Sequence, residues 1–237
     1  MSHKNLLTSI IISDIESKLN SFVLCLQALI TNTDSKKAHI IIYLSESSGI
    51  SFSDLEKNLI LESIVEVRIC NFTKYSQIFA HAISNSLQSS AVVLLTSQAI
   101  VSQGWLDALN EAAMSRDDIA IVTSRDIRHR NDLSALELIP YATNRYDIDV
   151  AISPSENNLL DPDFDESQLL VRLSKFKLFC LYFKKNILEY VNWQNLADMD
   201  NLDWQNEIID VINKIDAMKI VYTPKSKVFH KSYFQLG

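Results

Sequence analysis

Four places in this sequence gather side chains able to do chemistry. Arg125, Arg128, His129 and Arg130 stand close together, followed by Asn131 and Asp132. Guanidinium groups bind phosphate oxygens in bidentate fashion, so such a cluster can neutralise an anionic leaving group; a solvated loop of ordinary charges is the plainer account. The run from Asp198 to Glu207 is acidic, with Asp198, Asp200, Asp203 and Glu207. Asp203 and Glu207 are four apart and share a helix face, and a cleft-facing carboxylate beside Trp204 can have the raised pKa that a general base needs. A solvated helix start favoured by the dipole explains the same residues without chemistry. Asp14, Ser45 and Glu46 lie at the ends of apolar runs, where Asp14 can equally cap a helix. His230 closes a short apolar run near the end, a setting in which a lone histidine is more often structural or exposed.

Several chemistries are excluded. The only glycines are Gly49, Gly104 and Gly237, so neither GxxxxGK nor GxGxxG can be written, and HExxH, CxxC and GxSxG are absent as well. A net charge of −7 argues against a surface devoted to nucleic acid, because Lys and Arg supply most of that affinity. Cys25, Cys70 and Cys180 are far apart in apolar stretches and read as buried thiols rather than as disulfides or a metal site. No apolar run is long enough to cross a bilayer. The start, Met1 to Asn5, has no leader pattern, and a cytoplasmic location is expected.

The elements that must position these residues alternate. With 237 residues, 47% of them hydrophobic, the chain can bury the core of one large domain. Strands are expected at Leu6–Ser13, His39–Ser45, Ile64–Asn71, Ala91–Thr96 and Ile119–Ser124. Helices are expected at Ile15–Thr31, Ser53–Glu62 (capped by Ser53), Tyr75–Leu87 and Trp105–Met114. Such alternation implies an α/β fold with a largely parallel, doubly covered sheet. From Arg125 to Glu166 the sequence turns polar, with Pro140, Pro154 and Pro162, and reads as a long irregular excursion of the kind that is often functional. Strands at Leu169–Leu173 and Phe176–Phe183, helices at Lys185–Val191 and Asn201–Ile215, and strands at Lys219–Pro224 and Lys227–His230 complete the series. Trp105, Trp193, Phe179 and Tyr182 are assigned to the core, and core packing is the expected role of His81 too.

Ligands of open parallel sheets bind beyond the carboxyl ends of the strands, which directs attention to Ser13–Glu16, Ser45–Ser48, Asn71–Tyr75 and Thr96–Ala99. The stretch AVVLLTSQAIVSQGWLDAL, Ala91 to Leu109, resembles a segment of family 2 glycosyltransferases of the GT-A fold: a hydrophobic strand, Asp-x-Asp, a turn, and a Gly-Trp-Leu helix start. The opening SIIIS strand, the helix around Tyr75 to Leu87 and the closing KIVYTPKSKVFH resemble that family in the same order, so the resemblance runs from about Leu6 to His230.

The resemblance implies a GT-A (Rossmann-like) fold over a single domain, 1–237, with a nucleotide-binding half to about 124 and an acceptor-side half from 125. It implies a hexosyltransferase-type activity, moving a sugar from a nucleotide-sugar donor to a glycan, lipid-linked or other hydroxyl acceptor, in surface polysaccharide or glycoconjugate synthesis. It puts Asp203 or Glu207 at the general base, Ser45 or Glu46 and Asp14 near the nucleotide base, and His230 near the metal or diphosphate. Arg125, Arg128 and Arg130 would grip the diphosphate in place of a cation.

The Asp-x-Asp positions fall on Thr96 and Gln98, around Ser97, and neither can carry charge. Magnesium sites use one or two carboxylates plus phosphates, and a unit-charge pair near a surface is worth about 4 kcal/mol at about 4 Å. No metal site of the usual kind and no cofactor are therefore expected; manganese or magnesium would have to bind without its usual ligands. A catalytically inactive relative, kept for binding carbohydrate or for assembly, would show the same loss. Peripheral membrane attachment and a protein partner or second copy stay open; nucleic acid is not an expected partner.

Overall fold

The computed structural model describes residues 7–15, 17–59, 65–128, 139–140, 148–149, 171–173, 179–215 and 218–230, of which 126–128, 139–140, 148–149 and 171–173 are described by backbone alone. The first half follows the expected alternation: β1 (Thr8–Ser13), α1 (Leu19–Thr31), β2 (Ala38–Ser45), α2 (Phe52–Asn58), β3 (Val65–Cys70), α3 (Tyr75–Ser84) and β4 (Ala91–Leu95). Next come β5 (Ala99–Val101), α4 (Trp105–Met114), β6 (Ile119–Arg128), β7 (Ile139–Pro140), β8 (Ile148–Asp149) and β9 (Val171–Leu173). The chain ends with β10 (Cys180–Lys184), α5 (Lys185–Leu188), α6 (Trp193–Leu196), α7 (Asn201–Lys214) and β11 (Lys219–His230).

The sheet order is β3-β2-β1-β4-β10-β6-β11-β9-β8. Between β3 and β11 every strand runs the same way except β10, which is antiparallel to both β4 and β6. The architecture is thus the expected mostly parallel α/β sheet with helices on both faces. The strands β1, β2 and β4 are buried on both faces, which is why they read as unbroken β-branched runs rather than as alternating ones. One face packs on Phe22, Leu26 and Leu29 of α1 and on Trp105 and Leu109 of α4. The other packs on Ile78 and Phe79 of α3, Trp193 of α6, and Trp204 and Ile208 of α7. Among the described residues no helix is long and apolar enough to cross a membrane.

Several local expectations are corrected. The helix after β1 starts at Leu19 rather than Ile15, and before it the Ser17 N–H bonds the Asp14 carbonyl. α2 is capped by Ser51, not Ser53: its hydroxyl accepts from the Asp54 N–H, and the Asp54 carboxylate accepts from the Ser51 N–H, a reciprocal box. The strand expected at Ile119–Ser124 runs on to Arg128, because Arg125, Asp126 and Ile127 pair with Lys227, Val228 and Phe229. The two closing strands are one, β11, whose register on β6 shifts between Thr223 and Lys227. Pro224 sits in that irregularity, where its missing N–H costs the ladder nothing.

β5 was not expected from sequence. It pairs antiparallel with the end of β11, Ala99 opposite His230. Because β6 ends and antiparallel β10 begins at the same end of the sheet, the segment between them leaves from and returns to the carboxyl edge; Phe179, just before β10, accepts the Thr96 N–H there at 3.1 Å.

Candidate functional site

The carboxyl edge is drawn together around the Thr96–Gln98 turn. Ser97 is fully buried. Its hydroxyl and the Tyr75 hydroxyl both donate to the Ile15 carbonyl, at 2.9 and 2.7 Å, and its N–H faces the Tyr75 oxygen at 3.4 Å. The Cys25 thiol donates to the Ser97 carbonyl at 3.0 Å. Residues of α1, α3 and the β1 turn therefore fix the turn from three sides. Thr96 is 7% exposed, and its hydroxyl is buried without a hydrogen-bond partner among the described residues, as are those of Thr123, Ser124 and Ser226. Gln98 follows, and the β5–β11 pairing sets it against His230, whose Nε2–H donates to Gln98 Oε1. The His230 ring also stacks on Phe179, with centroids 6.0 Å apart.

Asp14 and Ser45 form a second knot on the same edge. Asp14 is fully buried, and its carboxylate accepts from the Ser45 N–H at 2.9 Å and from the Ser48 hydroxyl. Burial pushes the Asp14 carboxyl above the usual aspartate range, and these two hydrogen bonds oppose the shift. The Ser45 hydroxyl donates to the Phe72 carbonyl at 2.6 Å, so this side chain is engaged within the protein. Glu46 beside it is exposed. Its N–H bonds the Cys70 carbonyl.

The acidic helix start reaches the same edge through α3. Ser76 donates to the carbonyls of Ala197 and Met199 at 3.0 and 2.7 Å, and Lys74 Nζ to that of Asp198 at 2.8 Å. The first turn of α3 thus bridges the segment before α7 on one side and, through Tyr75, the Ser97 turn on the other. Asp200 caps α7, accepting from the N–H groups of Leu202 and Asp203 at 2.9 and 2.8 Å. Asp203 is exposed, Glu207 is half-buried, and Trp204 packs its ring in the core against Phe79 and Trp193.

Arg125 lies inside β6 rather than in a loop beyond it, and it is 3% exposed. Burial raises the Tyr222 hydroxyl pKa, and the neighbouring Arg125 guanidinium works against that rise. Arg128 ends β6 as described by backbone alone, while His129 and Arg130 lie outside the described residues. Trp105, Trp193, Phe179 and Tyr182 are buried as expected, whereas His81, expected in the core, lies on the exposed side of α3 with its ring against Phe72. Sequence reasoning assigned Tyr75 and Cys25 to a helix and to the core, and nothing in their local pattern marks them as the groups that pin the Ser97 turn.

The donor set does not suit a divalent ion. At the turn it consists of a hydroxyl, a neutral amide oxygen and an imidazole, and the last two are hydrogen-bonded to each other. Hard cations take oxygen ligands that include carboxylates, and among the described residues no three His, Cys, Asp or Glu side chains converge on a point.

No protein-family model matches this sequence, and no curated protein does. Among solved structures, the fold is similar to the crystal structure of GalNAc-T7 with UDP, GalNAc and Mn2+, at a TM-score of 0.65 and 12% sequence identity. The match covers 97% of this chain and 44% of that one, so this chain spans less than half the length of that protein. Identity that low speaks to architecture alone, and the architecture is that of a GT-A glycosyltransferase fold.

Proposed function

We propose that this chain is a glycosyltransferase of the family 2 kind that moves a sugar from a nucleotide-sugar to a hydroxyl acceptor on a glycan or lipid-linked glycan, without a metal ion of the usual kind. The observation that carries the reading is the convergence at one sheet edge: the Thr96–Gln98 turn and the start of α7 both flank the first turn of α3. Residues up to about 124 would hold the nucleotide, and those from 125 would face the acceptor. In this scheme Asp203, or Glu207 one turn on, takes the proton of the acceptor hydroxyl as its oxygen attacks the anomeric carbon, and the nucleoside diphosphate departs with the bonding pair. Arg125, with Arg128 and Arg130, meets the charge that develops on the leaving group. Glu46 is the exposed acceptor available for the nucleotide base, and surface polysaccharide or glycoconjugate synthesis is the setting.

A second reading is a catalytically silent relative that binds carbohydrate or assembles with a partner. It is favoured by the closed Gln98–His230 pair and by the engagement of Asp14 and Ser45 within the protein. Calorimetric titration with UDP, GDP and CMP sugars, with and without manganese, separates the two. Heat that is the same without manganese is expected. Heat that appears only with manganese would contradict the metal-free scheme, and no heat with any nucleotide sugar would favour the silent relative.

A further inference from the structure

β3 is the terminal strand of the sheet among the described residues, and its outer edge is self-complementary. The Cys70 carbonyl points inward, accepting the Glu46 N–H at 2.8 Å. β3 pairs with β2 in unbroken parallel register from Val65 to Cys70. In such a ladder, alternate residues direct both backbone groups to the same side. Glu66, Arg68 and Cys70 therefore bond inward, and the N–H and C=O groups of Val65, Val67 and Ile69 point out of the sheet edge.

The side chains alternate in the complementary sense. Glu66 and Arg68 share one face, where Arg68 Nε donates to Glu66 at 2.6 Å and Arg68 Nη1 to the Tyr43 hydroxyl at 2.9 Å. Val65 and Val67 share the other, packed against the core, and Ile69 on that face is 65% exposed.

The geometry points to a second copy of this chain as the partner of that edge, joined through an antiparallel β3–β3 pair about a two-fold axis at Val67. In this register Val67 exchanges both backbone hydrogen bonds with its counterpart, and Val65 does the same with Ile69 of the other copy. Each Glu66 then stands directly opposite an Arg68, and each exposed Ile69 opposite a Val65. Shifting the register by two residues in either direction breaks the Glu–Arg match, so the charge pattern selects this alignment. Edges that merely repel other chains carry a single sign or a proline. Here the two signs have the spacing that lets the strand recognise itself, which makes the contact isologous and closed.

Sedimentation of the full chain over a concentration series tests this. The wild type is expected to pass from monomer to dimer. Glu66→Arg or Arg68→Glu alone sets like charges opposite each other twice, and each should weaken the dimer about tenfold or more. An equimolar mixture of the two single variants places Arg pairs opposite Glu pairs and should regain the dimer, and so should the double swap within one chain. Ile69→Pro removes an outward N–H without touching the inner ladder and should abolish association while the circular dichroism spectrum is retained. A wild type that stays monomeric into the range of several hundred micromolar overturns the proposal. So does a dimer indifferent to Ile69→Pro, or a mixture of single variants no more associated than either alone.

Discussion

The two ends of one sheet are built on opposite terms. At the amino edge, Asp118 is held by Arg116 at 2.8 Å and Lys219 at 2.5 Å, just where β6 and its parallel neighbour β11 begin. At the carboxyl edge, Asp14 is buried on the neutral Ser45 N–H and Ser48 hydroxyl, and the hydroxyls of Thr96 and Ser124 are buried without partners among the described residues. One end pairs its carboxylate with two cations, while the other holds a buried carboxylate on neutral donors. Unmet polar groups in low dielectric cost free energy, and among the described residues they also occur away from this rim, at Thr33 and Asn186, so the contrast rests on the two aspartates.

That contrast can be broken experimentally. The largest effect is expected at the functional rim: if Asp203 is the base, Asp203→Asn should lower kcat by about 10²-fold or more while leaving calorimetric donor binding intact. Undiminished turnover would move the role to Glu207. Next is Asp14→Ala, which strands the Ser45 N–H and the Ser48 hydroxyl and should cost about 2–4 kcal/mol in urea unfolding.

Tyr75→Phe removes the hydroxyl that joins the Ile15 and Ser97 turns. A loss of about 1–2 kcal/mol is expected, and if the Ser97 turn borders the donor, its affinity for nucleotide-sugar should fall too. Asp118→Asn is the smallest, at most about 1 kcal/mol, because the pair is partly open to solvent.

The pH dependences of the two aspartates oppose one another. Arg116 and Lys219 hold Asp118 down at about 2. Its contribution is therefore complete above the ordinary aspartate range and disappears as pH falls toward that value, so Asp118→Asn and wild type should converge in strongly acidic urea titrations. Asp14 is shifted upward by burial. The native state keeps that proton longer than the unfolded chain does, so this group lowers stability as pH rises through and above the ordinary aspartate range. Asp14→Asn should flatten that part of the profile.

Much of the architecture could be read from residue order. Runs such as SIIIS and AVVLL are strands buried on both faces, and Trp105–Met114 matches its helix to the residue, because Gly104, at φ +76°, starts it and the apolar residues recur at helical spacing. What escaped depends on distant partners. β5 is three residues long and exists only because β11 lies beside it, and the strand at Ile119 extends to Arg128 for the same reason. Pro224 split β11 on paper, whereas in three dimensions an irregularity absorbs it. The turns after the strands could be picked out from sequence as a candidate location, but the network that joins them could not. Nothing near Tyr75 or Cys25 in the chain announces that their side chains end on residues far away in sequence.

The reversed strand β10 has a further meaning. Since it enters the sheet from the rim where β6 departs, the stretch between Arg128 and Phe179 begins and ends at that rim, and its β9 adds to the outer side of β11 without coming between β1, β2, β3 and β4. Changes of length in that one contiguous stretch of gene can therefore be absorbed without disturbing the register of those four strands.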